Sequence, residues 1–452
     1  PQKVMNAVSS LNTALASCNR GGFPLVALLL RALIGATALC VPVSILAEDA
    51  ADPNAPTFDD SPTRAMNEVE SMEAEPPADG PVVSQSSYER PYREAIGQLE
   101  TDQGAYAEGL SEQLLSLGLT LQRQGRHGEA LDLFKRGTHL ARINYGLYSA
   151  EQLPLLQAEI ASHMATGALA KADERQQYMY RVQMRTLDSG ASRAAALMQQ
   201  AGWQFSAYRL QVGGPGFMRL MNMWDLYRLA VNDIVNREGQ TSEGLLPPLY
   251  GMLRAQYLIS DYSSEQDTGF ETGDSYSGTL EYNRFNAYRH QSYDKGRAVI
   301  QAIYDLQHEG ENPDPVAAAE ALVMMGDWYL WHEQRDEANQ AYQDAIGELA
   351  ELDDAQLHIE RLLGQPQALP SLKGVRPLPG TVSPDEGNIL LEFTVNARGR
   401  VLDLQRIDEN EVNEGRTNRL MRKLRKTPFR PRFEQGEPVA TEDMLWAYVI
   451  EN

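Results

Sequence analysis

The strongest constraint on the fold is a spacing of small and large residues that occurs twice, in residues 111–141 and again in residues 316–350. The first copy contains Leu117, Gly118, Leu121, Gly125, Ala130 and Phe134, and the second contains Met325, Gly326, Tyr329, Ala338, Tyr342 and Ala345. Small residues let two helices approach closely, and large residues fill the groove between neighbouring helix pairs. The spacing therefore predicts paired helices that stack as repeats.

More helices are predicted between these two copies. Gly167 follows Gly125 by 42 positions and Ala172 follows Ala130 by the same interval, which indicates a third, weaker copy. Apolar residues at intervals of three and four predict further helices. These helices cover residues 192–210, 217–236, 242–261 and 282–307. A stack of repeats needs at least three units to bury its faces, so one continuous array is expected.

The repeated spacing resembles the tetratricopeptide repeat (TPR). The resemblance implies a mainly α protein in which a TPR-like α-solenoid occupies residues 86–363 and binds other proteins through one polar face. The named Leu, Phe, Tyr and Ala residues are interpreted as core rather than as binding residues. Polar and aromatic residues that could line a binding face are Gln122, Arg126, Glu129, Trp331 and Arg335.

A change of sequence pattern marks the end of the helical region. Residues 364–386 are rich in proline, which breaks helices and removes backbone donors, and they are predicted to form a linker. Apolar residues then alternate at 389, 391, 393 and 395 before a turn and a second strand from Val401, which predicts a β-hairpin. A basic helix at 414–426 and a strand at 444–449 complete a small α/β domain over residues 387–452.

Six residues of this domain carry a second resemblance, namely Gly399, Phe429, Pro431, Gly436, Pro438 and Val439. At this spacing they resemble the C-terminal domain of TonB and related periplasmic proteins. The resemblance implies a TonB-C-like fold and a contact in which an edge strand pairs with an extended segment of an outer-membrane protein.

The N-terminal residues have the composition of an export signal. Basic residues precede an apolar run at 32–41, and the pattern predicts a signal peptide over residues 1–47 with cleavage after Ala47. An uncleaved membrane anchor is the alternative. Both cysteines, Cys18 and Cys40, lie in this segment. Residues 48–85 are acidic, proline-rich and poor in aromatic residues, and are predicted to be a disordered spacer.

Charge excludes one class of partner. The formal net charge of −22 argues against nucleic acid, whose phosphates need a positive protein surface. The predicted helix 414–426 is a basic exception, with Arg419, Arg422, Lys423 and Lys426 on one side. These four residues could contact an anionic partner, but a solvated helix face is the favoured interpretation.

No pattern indicates catalysis, a metal or a cofactor. The seven histidines have no ligand spacing, and His332-Glu333 lacks the second histidine of a zinc protease helix. The glycine-rich run 213–216 follows a helix rather than a strand, so an inter-helix turn is expected there instead of a phosphate loop. The sequence predicts that the protein is not an enzyme; a hydrolase has the least support.

Together these features predict a periplasmic scaffold or adaptor of the bacterial cell envelope, with the repeats docking one protein partner and the TonB-like domain another. Outer-membrane receptors and inner-membrane motor proteins are the expected kinds of partner. The alternative is a TonB-type energy transducer anchored in the inner membrane, which requires that residues 1–47 are retained. Only in that case is membrane contact expected.

Overall fold

A computed structural model describes residues 86–263, 276–372, 374–375, 378–408 and 414–450. The predicted signal peptide (1–47) and spacer (48–85) lie outside the described residues. The described part contains 14 α-helices and a small group of strands near the C-terminus. The prediction of a mainly α protein with a small C-terminal β region is therefore confirmed.

Thirteen helices form the helical region, which we define as α1 to α13. Their bounds are α1 Ser86–Gln103, α2 Leu110–Arg123, α3 His127–Tyr145, α4 Leu153–Ala165, α5 Leu169–Thr186, α6 Ala191–Arg209, α7 Gly216–Glu238, α8 Leu246–Asp261, α9 Tyr276–His290, α10 Ser292–Glu309, α11 Pro315–Trp331, α12 Arg335–Leu349 and α13 Ala355–Leu363. Each helix packs on the next one in the chain, except that α8 packs mainly on α10 while α9 makes fewer contacts with its neighbours.

Local sequence explains where these helices begin and end. Helix α11 starts with Pro315 after Asp314, whose carboxylate accepts hydrogen bonds from the backbone N–H groups of Val316 (2.9 Å) and Ala317 (3.2 Å). Helix α2 is followed by Gly125, which has φ 75°. Glycine adopts this left-handed conformation without steric cost, so it allows the tight turn into α3.

The predicted helix at 282–307 is wrong as a single element, because the chain forms α9 and α10 with a break at Gln291. The Ser292 hydroxyl donates to the Gln256 carbonyl in α8 at 3.1 Å, which holds the start of α10 on α8. The sequence has neither glycine nor proline at 291. The tertiary contact therefore breaks the helix where the local pattern continues.

The C-terminal module, which we define as residues 387–450, contains helix α14, Glu414–Lys426, and six strands. The strands are β2 Ile389–Val395, β3 Val401–Arg406, β4 Phe429–Arg430, β5 Arg432–Glu434, β6 Glu437–Val439 and β7 Thr441–Tyr448. A three-stranded antiparallel sheet has the order β3-β2-β7, and β5 pairs with β6 in a hairpin. Helix α14 buries Leu420 and Leu424 in the same core as the alternate β2 residues that face inward.

The proline-rich stretch at 364–386, predicted as a linker, takes part in this packing. Gln367–Ala368 form a short strand, β1, that pairs with β4, and the Leu369 N–H donates to the Pro428 carbonyl at 2.9 Å. Val382 forms a bridge to Ala447 in β7. No local signal predicts these pairings, since their partners lie about 60 residues further along the chain.

Within the described ranges, no helix combines the length and the apolar character needed to cross a lipid bilayer.

Candidate functional site at the junction of the helical region and the C-terminal module

The helical region and the C-terminal module meet around a buried ion pair. Arg430 Nη1 donates to Asp327 Oδ2 at 2.9 Å and to Oδ1 at 3.1 Å. The Tyr342 hydroxyl donates to the same Oδ1 at 2.8 Å. Asp327 is 4% exposed, Arg430 9% and Tyr342 0%. A side chain from β4 is thus bound by a carboxylate of α11, which also accepts a hydrogen bond from α12.

Burial dominates the electrostatics of this group. It raises the pKa of Asp327, while the charge of Arg430 acts in the opposite direction. Burial also raises the pKa of Tyr342 and of Tyr257, with the Asp327 charge adding to both shifts. A buried ion pair is costly to desolvate and is maintained only when its hydrogen bonds are well formed. Loss of either partner would therefore leave a buried charge uncompensated.

Apolar contacts surround the ion pair. The ring centroids of Phe433 and Tyr342 lie 5.1 Å apart in an edge-to-face arrangement. Phe433 belongs to a buried cluster that also contains Leu349, Leu363 and Leu369. This cluster joins α12, α13, the segment around β1 and the β5–β6 hairpin into one core.

The turn between β2 and β3 lies close to the C-terminal end of α11. Gly399 has φ 68°, and a Cβ there would overlap the Phe429 carbonyl oxygen and lie 3.5 Å from Leu330 Cδ2. Nearby, Arg400 forms an ion pair with Glu333 at 3.0 Å. A residue with a side chain would not fit at 399, so glycine is required for this close approach.

A small cleft of about 40 Å³ lies at the edge of the junction. Its lining comes from both parts of the protein and consists of Leu330, Arg335, Asn339, Tyr342, Ala397, Arg398 and Pro431.

The two sequence copies pack their glycines in the same way. A Cβ at Gly118 would overlap the Phe134 ring, and a Cβ at Gly326 would overlap the Tyr342 ring. Most of the repeat-defining residues are buried: Leu117, Gly118, Leu121, Ala130, Phe134, Met325, Gly326, Ala338, Tyr342 and Ala345. Tyr329 is half-buried, and Gly125 is exposed in its turn.

The copies differ in what covers their first helix. Leu119 follows Gly118 as Asp327 follows Gly326, so the two residues occupy equivalent positions. Leu119 is 38% exposed, whereas Asp327 is covered by Arg430. In the copy at residues 316–350, the C-terminal module therefore covers a helix face that is open in the copy at residues 111–141.

The polar binding candidates mostly contact neighbouring helices. Gln122 donates to the Ala158 carbonyl at 3.0 Å and to Ser162 Oγ at 2.9 Å, and Trp331 donates to Ser260 Oγ at 3.0 Å. Arg126 pairs with Glu89 at 2.5 Å and with Glu129 at 2.7 Å. Of these candidates, Arg335 lies at the junction cleft.

The TonB-like residues divide into two groups. Gly399, Phe429 and Pro431 lie at or beside the junction. Gly436 has φ 83° and forms the β5–β6 turn with Gln435, and Pro438 and Val439 pair with Phe433 and Arg432 in that hairpin. The structure thus brings Gly399 and Pro431 to α11 and α12, places Phe429 in the core of the C-terminal module, and leaves the other three in the hairpin.

The basic candidates lie on α14 away from its buried side. Arg419, Arg422, Lys423 and Lys426 are exposed, and none of them forms an ion pair with a carboxylate of the described residues. Arg419 and Arg422 donate to the carbonyls of Gly415 and Asn418 in their own helix.

A second buried polar group lies on α4 and α5. Arg175 Nε approaches Glu159 Oε1 at 3.1 Å, and His163 Nε2 lies 3.7 Å from the same oxygen. Burial raises the pKa of Glu159 and lowers that of His163. In the part of the chain that the structure describes, no group of three or more His, Cys, Asp or Glu side chains could hold a metal ion.

Sequence reasoning missed the ion pair at the junction. Asp327 is an acidic residue within the apolar sequence of α11, which was the available signal, because such a residue needs a buried partner. Arg430 lies 103 positions further along the chain, so no local pattern identifies it as that partner.

Comparisons with known proteins give no family for this chain. No protein-family model matches it, and no curated protein matches it. Among solved structures, BtubC (BKLC) from P. vanneervenii is similar over 61% of this chain and 93% of that chain, with 12% sequence identity and a TM-score of 0.34. A likeness of this size carries no inference about fold or function.

Proposed function

We propose that this protein is a periplasmic scaffold or adaptor of the cell envelope, in which a TPR-like helical array binds one protein partner and a TonB-like C-terminal module binds another. The observation that carries the proposal is the junction around Arg430 and Asp327, which joins the two parts in a fixed arrangement. The proposal assigns no catalytic residue, cofactor or metal.

The helical packing supports the first half of the proposal. The overlap of a Gly118 Cβ with Phe134 and of a Gly326 Cβ with Tyr342 is the close helix approach that a TPR-like pair requires. Such arrays bind partners along the face that each repeat presents in the same direction. The exposed position of Leu119 leaves that face available at the first copy.

The sheet of the C-terminal module supports the second half. Strand β3 is at the edge of the order β3-β2-β7, and its outer side pairs with no other strand among the described residues. The opposite edge, β7, is bridged by Val382 at Ala447. An unpaired edge can add an extended segment of a partner through backbone hydrogen bonds. Leu402 in β3 is 45% exposed and would contact such a segment.

The test uses photo-crosslinking in cells, with the full chain and a crosslinking amino acid at one position at a time. Leu119 samples the helical array and Leu402 samples the edge strand, while Leu357 on α13, 68% exposed, is the control position. The full chain is needed because truncation before the C-terminal module would leave Asp327 without Arg430.

The expected result is one set of envelope proteins captured from position 119 and a different set from position 402. Capture from either position that matches the background at 357 removes that half of the proposal. Cell fractionation and N-terminal sequencing of the native protein test the location: a periplasmic chain that begins at Glu48 supports the adaptor, and retention of residues 1–47 in the inner membrane supports the anchored transducer.

A further inference from the structure

Five arginines lie at or beside the junction. Three of its arginines have carboxylate partners: Arg400 with Glu333 at 3.0 Å, Arg430 with Asp327 at 2.9 Å and Arg432 with Glu434 at 3.3 Å. Arg335 and Arg398 form no ion pair with any described residue. Arg335 and Arg398 are therefore the two of these arginines that have no ion-pair partner among the described residues.

These two arginines line the same cleft and come from different parts of the chain. Arg335 comes from the start of α12, and Arg398 comes from the turn between β2 and β3. Asn339, one turn after Arg335, also lines the cleft and can donate hydrogen bonds from its side-chain amide. A cleft lined by charges of one sign raises the local concentration of counter-ions.

The size of the cleft limits what could bind. A volume of about 40 Å³ accommodates a single small group, whereas sites for drug-sized ligands are roughly 300–1,000 Å³. The planar guanidinium group presents paired N–H donors that match the oxygens of phosphate and carboxylate. A phosphate group carries about −1.5 to −2 at neutral pH and so matches two arginines better than a carboxylate does.

We infer that the cleft between Arg335 and Arg398 is a phosphate-binding site that bridges the helical region and the C-terminal module. Bound phosphate neutralises the two arginines and connects α12 to the β2–β3 turn. Because it contacts both parts, it stabilises their docked arrangement by mass action. This inference does not depend on the identity of any protein partner.

The experiment is isothermal titration calorimetry of the full chain with inorganic phosphate, at ionic strength kept constant with sodium chloride. We expect saturable binding with one phosphate per chain. The double variant Arg335→Gln/Arg398→Gln should weaken binding about tenfold or more, since it removes both positive charges and their paired N–H donors from the cleft. Both arginines are exposed and unpaired, so the variant should fold normally.

The matched control is Arg419→Gln/Arg422→Gln, which removes the same charge from the exposed side of α14. This control should bind phosphate as the wild type does. Equal weakening in both variants would show a non-specific charge effect and would overturn the inference, as would the lack of saturable binding to the wild type.

A second titration with glycerol phosphate identifies the source of the group. Binding that depends on Arg335 and Arg398 would show that the site accepts a phosphate ester, and binding of inorganic phosphate alone would restrict it to the free ion; both results support the site. Binding of glycerol phosphate that survives the Arg335→Gln/Arg398→Gln change would place the ligand elsewhere and would contradict the inference.

Discussion

Arg430 Nη1 lies 2.9 Å from Asp327 Oδ2, and this contact joins β4 of the C-terminal module to α11 of the helical region. Arg430 belongs to the Phe-Arg-Pro sequence that suggested a TonB-like domain. In this chain its guanidinium is bound inside the protein rather than presented to a partner. The two parts are therefore coupled, and a partner that binds one of them acts on a molecule whose other part is already held in place.

Breaking the pair from one side should be strongly destabilising. Arg430→Met leaves Asp327 buried without its cation, and a buried charge that has lost its partner costs about 3–5 kcal/mol. Replacing both residues, as Arg430→Met/Asp327→Leu, removes the unpaired charge and should recover much of that loss. Urea unfolding of wild type, single and double variants measures the coupling as a double-mutant cycle.

The control for this cycle is the exposed pair of Arg361 with Glu320, 2.8 Å apart, for which Arg361→Met should cost no more than about 1 kcal/mol. If Arg430→Met proves as mild as Arg361→Met, then the junction does not hold the ion pair described above.

The glycine–aromatic contacts predict a second set of effects. Gly326→Ala places a methyl group into the Tyr342 ring, and Gly118→Ala does the same at Phe134. Overpacking of this kind costs about 1–3 kcal/mol. Gly97 is the matched control, because it lies within α1 and a Cβ there meets no atom within 4 Å. Gly97→Ala should be neutral or stabilising by up to about 1 kcal/mol, as expected for glycine within a helix.

Thermal unfolding and urea unfolding both report this difference. Similar losses of stability in all three variants would mean that the cost comes from the helix backbone in general and not from the close approach of helix pairs.

Local patterns predicted much of the fold because helix and hairpin signals lie within short windows of sequence. The predicted basic helix at 414–426 matches α14, and the predicted hairpin matches β2 and β3. The final strand is predicted from 444, whereas β7 begins at Thr441, because Thr441, Glu442 and Asp443 are polar and add nothing to the apolar pattern. Other features of the fold depend on contacts between residues far apart in the sequence. The break at Gln291 is one, because it lies beside the hydrogen bond from Ser292 to Gln256.

The candidate site was less predictable than the fold. Gly399 was identified from its spacing, but its close approach to Leu330 depends on how the C-terminal module lies against α11. Arg335 was one of several polar candidates, and the sequence contained nothing that joined it to Arg398. Which residues meet across the junction depends on how the two parts pack in three dimensions. The periodicity of a single segment does not predict that packing.

Burial of His332 predicts a pH effect. Burial lowers the pKa of His332 below its ordinary value of 6.5. Folding therefore disfavours the protonated form, and the folded state loses stability as the pH falls through 6.5 toward the lowered pKa. His332→Phe preserves a ring against Trp328 (4.5 Å) and Tyr293 (5.2 Å) but cannot be protonated. The variant should thus gain stability relative to wild type between about pH 7 and pH 5.

Urea unfolding midpoints at several pH values measure the difference in stability between His332→Phe and wild type. The control is His139→Phe, because His139 is exposed. Comparison with wild type at each pH cancels the opposite effect of Glu159, whose pKa is raised by burial. A difference that stays constant with pH would show that His332 is equally easy to protonate in the folded and unfolded states.

Substitutions on the exposed side of α14 should change the free energy of unfolding little, whereas a substitution on its buried side should lower it. Arg419, Arg422, Lys423 and Lys426 are exposed and unpaired with described carboxylates, so replacing all four with glutamine should change the free energy of unfolding by no more than about 0.5 kcal/mol for each residue. Leu424 is fully buried against the sheet, and Leu424→Ala should cost about 2–5 kcal/mol.

Urea unfolding separates these outcomes, and crosslinking from Leu402 in the four-glutamine variant then tests recognition. A stable variant with unchanged crosslinks supports the solvated face. A stable variant that loses its crosslinks assigns the four charges to an anionic partner, because their removal has left the fold intact. Marked destabilisation of the variant would contradict both interpretations, since it would mean that these side chains support the module itself.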